Sequence, residues 1–246
     1  NGVERTSVDK YIVPTTWREI GAGVSGRLPD YSVNYQLMMV NGFNGYDSDG
    51  GVFSGKKGLR SGRQKGAESY VTDFDFAGRV SYFGMLGWNL GASFYSGESE
   101  TSDFGADSTQ IDIQMTGVDA RYNNGNFQAR AQYTVANLGN TQAYNAKTSN
   151  DLGSVMTGYY FEVGYDVLQG NSDNKLILFG RYENYNTHDE TEGFDANLAY
   201  DRTETTVGLT FKVADGAAFK MDYQLKGNEA LDEDSKQVNV GIAVGF

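Results

Sequence analysis

Polar and apolar residues alternate with a period of two along most of the chain, the signature of strands with two unlike faces. In Phe219–Lys226 one face carries Phe219, Met221, Tyr223 and Leu225, and the other Lys220, Asp222, Gln224 and Lys226. Gln237–Phe246 repeats the split, with Val238, Val240, Ile242, Val244 and Phe246 opposite Gln237, Asn239, Gly241, Ala243 and Gly245. Val207, Leu209, Phe211 and Val213 alternate with Gly208, Thr210 and Lys212 in the same way. The pattern predicts further strands at Trp17–Leu28, Tyr31–Val40, Ser69–Phe83, Trp88–Ser96, Thr109–Tyr122, Asn126–Asn137, Gly158–Leu168 and Lys175–Tyr185. In Thr109–Tyr122 the apolar phase shifts from Ile111, Ile113 and Met115 to Val118, Ala120 and Tyr122, which predicts a bulge near Gly117. Leu176–Phe179 is apolar on both faces, so its phase stays open.

The links between these strands alternate in length. Pro29-Asp30, Gly84–Gly87, Asn123–Gly125, Gln169–Asn174 and Ala214–Gly216 are short, whereas Asn41–Glu68, Gly97–Ser108, Leu138–Thr157, Asn186–Tyr200 and Gly227–Ser235 are long and polar. Short turns at one end and long loops at the other are the layout of an up-and-down barrel in an outer membrane. A soluble sandwich also alternates, but its water-facing positions favour Lys, Glu and Thr, and its turns are of similar length at both ends. Here the polar faces are rich in Gly, Asn, Gln, Ser and paired charges, and the apolar faces end in Tyr, Trp or Phe, as interfacial girdles do. The expectation is an all-β, transmembrane antiparallel up-and-down β-barrel forming a single domain over residues 1–246 of a bacterial outer-membrane protein.

Composition agrees with this. The 32 Gly, 17 Tyr and 14 Phe against 2 Pro suit strands and turns, and no apolar run is long enough for a membrane helix. The chain has no cysteine and one histidine, which excludes disulfides, thiolate metal sites and multi-histidine metal sites. No metal or other cofactor is expected. A net charge of −12 argues against nucleic acid as a partner.

The last strand stops on Phe246, like the C-terminal signal by which the barrel-assembly machinery engages outer-membrane proteins. With Phe246 at the periplasmic rim, the long links all lie outside and Trp17–Leu28 runs inward, making residues 1–16 an external loop. Bacterial barrels start inside and have an even strand count, so roughly eleven strands predict a chain incomplete at its N-terminal side.

Several stretches resemble the phosphate-selective porin O and P family in the form found among Bacteroidota. They are Thr15-Thr16-Trp17-Arg18-Glu19-Ile20-Gly21-Ala22-Gly23, Met39-Val40-Asn41-Gly42-Phe43-Asn44-Gly45 and Gly58-Leu59-Arg60-Ser61-Gly62-Arg63-Gln64-Lys65-Gly66. Gly158-Tyr159-Tyr160-Phe161-Glu162-Val163-Gly164-Tyr165 and Arg181-Tyr182-Glu183-Asn184-Tyr185-Asn186 resemble its later strands. The resemblance implies a sixteen-stranded porin of which this chain is the C-terminal portion of about eleven strands. It further implies ion transport with inward cations that attract anions such as phosphate.

Alternation makes Arg27, Arg79, Arg121, Arg130, Arg181, Lys212, Lys220 and Lys226 candidate pore-lining cations, with Glu162 and Glu183 among the acids facing them. The two signs nearly balance, which predicts a lumen without strong sign preference, many pairs satisfying one another across strands. The basic cluster Lys56, Lys57, Arg60, Arg63 and Lys65 lies in the longest external link. Folded into the pore it would form a constriction that attracts anions; on the outside it would bind lipopolysaccharide phosphates or a partner.

Asp47-Ser48-Asp49-Gly50 opens like a calcium loop but lacks the remaining ligand spacing, so a flexible acidic loop is expected. His188 with Asp189 and Glu190 has no nucleophile at matching spacing, and a surface loop is expected in place of a hydrolase site. The expected function is passive diffusion of small hydrophilic solutes through an outer-membrane porin, alone, as a homotrimer or within a larger membrane complex. The alternative is a barrel that serves as a structural subunit of a larger outer-membrane complex, its lumen blocked. An enzyme is not expected.

Overall fold

The structure is a computed structural model, and it describes the whole chain except residues 65, 67, 68, 70, 72, 102–108, 170, 171, 173, 215, 232, 233 and 246. Eleven strands form one antiparallel sheet: β1 (Gly21–Leu28), β2 (Val33–Val40), β3 (Asp75–Tyr82), β4 (Trp88–Glu98), β5 (Asp112–Asn124), β6 (Phe127–Gly139), β7 (Val155–Asp166), β8 (Lys175–Glu190), β9 (Asp201–Ala214), β10 (Ala217–Asn228) and β11 (Ser235–Val244). Each strand pairs with its sequence neighbours, and among the described residues no ladder joins β1 to β11. The fold is the all-β, up-and-down barrel sheet that the alternation predicts. No helix of the described residues is long and apolar enough to cross a membrane.

The faces are inverted relative to a water-soluble sheet. Outward Phe219, Met221 and Tyr223 of β10 are exposed, while inward Asp222 and Gln224 are each 1% exposed. Val238, Val240 and Ile242 of β11, Val207 of β9 and Phe161 and Tyr165 of β7 continue the exposed apolar surface around the sheet. An apolar surface of this extent is untenable in water and is what a hydrocarbon layer covers. Near the short turns it ends in an aromatic cluster, with Trp88 4.9 Å from Tyr122 and Tyr122 6.0 Å from Phe127.

On the inward face, towards the long-loop ends of the strands, lies a second and wholly different apolar region. Phe43, Phe53 and Leu59 from the 41–74 link are fully buried, as are Tyr144 and Leu152 from the 140–154 link. They pack against Ile113 and Met115 of β5, Ala136 and Leu138 of β6 and Met156 of β7. Helix α2 (Thr141–Thr148) holds Tyr144 there, and its hydroxyl receives the Phe53 N–H at 2.9 Å and donates to the Gly45 carbonyl at 3.0 Å. The described parts of these two links are therefore folded over the inside of the sheet and carry a core of their own.

This core explains the phase shift in β5. The register runs without interruption through Ser93, Gly117 and Thr134, so the bulge expected near Gly117 is absent. Ile113 and Met115 are simply inward residues that meet protein, whereas Val118, Ala120 and Tyr122 are outward residues. Register does shift elsewhere, between Asn186 and Glu190 of β8 and between Lys212 and Ala214 of β9. In β8 the inward phase contains Ile177, Phe179, Arg181, Glu183 and Tyr185, all buried.

Strand ends differ from expectation where side chains are drawn inward. Trp17–Ile20 is not strand, because the Trp17 ring stacks on Phe43 with centroids 4.2 Å apart and lies edge-on to Tyr95 at 4.8 Å. Asp47 and Gly50 belong to a two-stranded ribbon (Tyr46–Asp47 with Gly50–Gly51), and the Asp47 carboxylate caps the Asp49 N–H at 2.9 Å.

Candidate functional site

The inward face is occupied along its length by residues 1–17, of which 1–16 were expected as an external loop. The displacement has a physical cause: this stretch supplies backbone N–H groups and two apolar side chains that the inward face accepts. The Ser7 and Val8 N–H groups donate to Glu183 of β8 at 2.6 and 3.4 Å, and the Ser7 hydroxyl donates to Glu204 of β9 at 2.8 Å. The Val3 N–H donates to Asp222 of β10 at 2.6 Å, and Lys220 donates to the Gly2 carbonyl at 3.1 Å. Asn1 donates its amide to Glu162 of β7 at 3.1 Å and receives the Thr210 hydroxyl at its carbonyl at 2.7 Å. A single helical turn, α1 (Val8–Tyr11), places Val8 and Ile12 against the loop core, both fully buried.

Small wall residues make room for this segment. A Cβ at Gly158 would stand 3.1 Å from Ile12 and 3.2 Å from Val8, and one at Gly164 would stand 3.0 Å from Asn1. At the far end of the segment, Arg60 donates to the Thr15 hydroxyl at 2.9 Å and Arg63 to the Thr16 hydroxyl at 2.8 Å, with a further bond from Arg63 to the Thr15 carbonyl. Glu19 follows; its carboxylate takes the Trp17 indole N–H, and burial raises its pKa to about 7.

The expected wall charges all lie on the inward phase of their strands, and they divide into two groups. Arg79 forms a two-pronged bond to Asp119 at 2.7 and 3.0 Å, and Arg130 one to Glu162 at 3.0 Å from each nitrogen. Arg181 sits between Glu183 at 2.7 Å and Glu162 at 3.6 Å, all three nearly fully buried. Lys226 approaches Glu204 at 4.0 Å. Lys220 meets a carbonyl, as described. Arg27, Arg121 and Lys212 have no carboxylate partner among the described residues; Arg27 lies over the Phe83 ring at 4.3 Å. These three stand within a few residues of the short turns, so the unneutralised positive charge of the wall gathers at that end.

The described cations of the basic link have different surroundings. Arg60 and Arg63 are staples for residues 15–16, Lys56 and Lys57 are exposed, and Lys65 and Phe246 lie outside the described residues. His188 is 2% exposed and bonded at both ring nitrogens, to the Asp151 carbonyl at 2.5 Å and from the Asn197 N–H at 3.2 Å. The Asp151 carboxylate accepts from the Tyr200 hydroxyl at 3.0 Å and from the Gly55 N–H at 2.9 Å, so His188 and Asp151 fasten three loops together. It is a buried fastener where a surface loop was expected.

Sequence reasoning missed Ser7, Asp9 and Trp17 on the segment, and Glu204 as its wall partner. Two signals pointed to them: the helical spacing of Val8, Tyr11 and Ile12, and the out-of-phase apolar run Ile111, Ile113 and Met115.

No family model matches the chain. Over 230 residues it is 26% identical to an uncharacterized protein of Aquifex aeolicus (strain VF5), covering 90% of this chain and 51% of that protein. The chain thus spans about half the length of that relative. Its structure is similar to that of a porin refined at 1.8 Å resolution, with a TM-score of 0.54, 12% identity, and coverage of 93% of this chain and 62% of the other. It is also similar to an anion-selective porin from Comamonas acidovorans, with a TM-score of 0.53, 12% identity, and coverage of 93% and 59%. At such identities the likeness is one of fold: the chain's sheet is folded like part of a porin's barrel wall.

Proposed function

We propose that the protein is an outer-membrane channel for passive diffusion of small hydrophilic solutes, narrowed from within by residues 1–17. The observation that carries this reading is the inverted sheet, apolar outside and polar inside, with a chain segment bonded to the polar side by Glu162, Glu183, Glu204 and Asp222. Such a segment reduces the lumen without sealing it with an apolar plug along its whole length. The finer reading is a weak anion preference, phosphate included. Asp119, Glu162 and Glu183 are paired with arginines, while Arg27, Arg121 and Lys212 have no carboxylate partner among the described residues near the short-turn mouth and outnumber Asp166, whose carboxylate accepts only backbone N–H groups there. Charge at a mouth bordered by low-dielectric walls acts on passing ions more strongly than charge in bulk water.

Conductance in planar bilayers tests both parts. Discrete steps, with a reversal potential in a salt gradient that favours anions and relaxes in the triple variant Arg27→Gln, Arg121→Gln, Lys212→Gln, are expected. A second reading is favoured by the loop core that fills the long-loop end: a blocked barrel acting as a subunit of an outer-membrane complex. Absence of any conductance from correctly folded protein would select it.

A further inference from the structure

Between the inward segment and the wall of β2–β6 lies a cavity of about 330 Å³, within the size range of small-molecule sites. One side of it is apolar and flat: Trp17, Met38, Tyr95 and Met115. Trp17 is not free to swing, since Phe43 covers one of its faces and Tyr95 abuts its edge. The other side is set with uncharged hydrogen-bonding groups, Gln36, Ser93, Gln132 and Thr134. The Gln36 and Ser93 side chains take part in no hydrogen bond among the described residues, although both border the cavity.

The charges that border the cavity are already committed. Arg79 and Asp119 neutralise each other through two bonds, which still leave guanidinium donors and carboxylate lone pairs for a third partner. Asp9 accepts from the Thr6 hydroxyl at 2.6 Å and from Gln132 at 2.9 Å. No unpaired cation borders the cavity, so it offers a phosphate or carboxylate nothing that bulk water does not. What it offers is a flat apolar side beside interleaved donors and acceptors. That is complementary to a molecule with C–H groups on one face and hydroxyls at its rim.

We propose that this cavity is a binding site for a small uncharged polyhydroxylated solute of the sugar class, held on its way through the lumen. The apolar face of the solute lies on Trp17 and the two methionines, and Gln36, Ser93 and the Arg79–Asp119 fork bond its hydroxyls. The proposal deepens the channel reading and rests on it.

The test reads binding and transport separately. With the outward Trp88 replaced (Trp88→Phe), Trp17 is the sole tryptophan, and its emission is followed in the folded full-length protein during titration with glucose, maltose and, as control, inorganic phosphate. A saturable change with one of the sugars on the millimolar scale is expected, and none with phosphate. Gln36→Ala with Ser93→Ala should weaken it about tenfold, which is about 1.4 kcal/mol for the loss of two hydrogen bonds. Unaltered heat-modifiable mobility on electrophoresis shows that the variant still folds. Saturation by phosphate in place of the sugars overturns the proposal, as does the absence of saturation with either sugar or an unweakened double variant. The same sugars added to conducting channels should reduce the ion current. Sugar binding by protein that conducts no ions would overturn the channel reading and leave the binding site standing; conduction unaffected by bound sugar would remove the site from the transport path.

Discussion

In β10 the outward Phe219, Met221 and Tyr223 are 50%, 49% and 38% exposed, and the inward Asp222 and Gln224 are buried. In the outer half of β5 the apolar Ile113 and Met115 are the inward, buried residues, and Gln114 and Thr116 point outward and are exposed. Both strands alternate without a break and both belong to one sheet. The difference lies in what each face meets. Outside β10 there is a surface suited to lipid, and inside it a polar segment; inside β5 there is the core of folded-in loops. An apolar side chain in this sheet therefore has two possible destinations, and only its neighbours in space tell them apart.

Emptying the loop core has the largest expected effect. Phe43→Ala should cost about 3–5 kcal/mol, because its ring fills space between Trp17, Phe53 and Tyr95 that the surroundings cannot reclaim. Denaturant unfolding of the refolded protein measures this, and a cost below about 1 kcal/mol would mean that the links do not hold a core. Next comes the lipid face. Met221→Arg should cost about 2–4 kcal/mol in a bilayer, and Gln237→Arg, on the inward phase of β11, much less. Equal costs in lipid vesicles would show that the two faces are wrongly assigned.

A smaller effect falls on the inward segment. Glu183→Gln removes the charge that accepts the Ser7 and Val8 N–H groups and pairs with Arg181. A loss of about 1–3 kcal/mol is expected. It should be accompanied by faster hydrogen exchange at Ser7 and Val8 and by higher conductance; unchanged exchange there would separate the segment from Glu183. The smallest effect concerns pH. Burial raises the Glu19 pKa from 4.5 to about 7, so its charged form is disfavoured in the folded state. Its penalty is absent below the unfolded value and grows as pH rises towards 7. Glu19→Gln should leave stability unchanged at pH 4 and raise it slightly at pH 8, as read from thermal unfolding at the two pH values. A larger gain at low pH would contradict the sign.

Much of the wall was legible in the chain. Alternation located all eleven strands, because a sheet with two unlike faces forces a period of two on the sequence wherever both faces are specified. It also put Arg27, Arg79, Arg121, Arg130, Arg181, Lys212, Lys220 and Lys226 on one face, since a residue's face follows from its parity alone. The site was legible only in fragments. Ile111, Ile113 and Met115 announced a change of environment that parity arithmetic read as a bulge, because alternation records that a side chain is apolar and not whether lipid or protein covers it. In residues 1–17 the helical spacing of Val8, Tyr11 and Ile12 marks a turn with an apolar side but does not reveal its partner. Their partners, Glu162, Glu183, Glu204 and Asp222, lie more than 150 residues away, and a carboxylate looks the same in sequence whether it lines water or receives a backbone N–H. Local pattern fixed the strands, their register neighbours and their faces. Which charges are spent, what fills the inside and where a cavity remains were decided by long-range packing, where shape and hydrogen-bond partners are set by residues that the local pattern never sees.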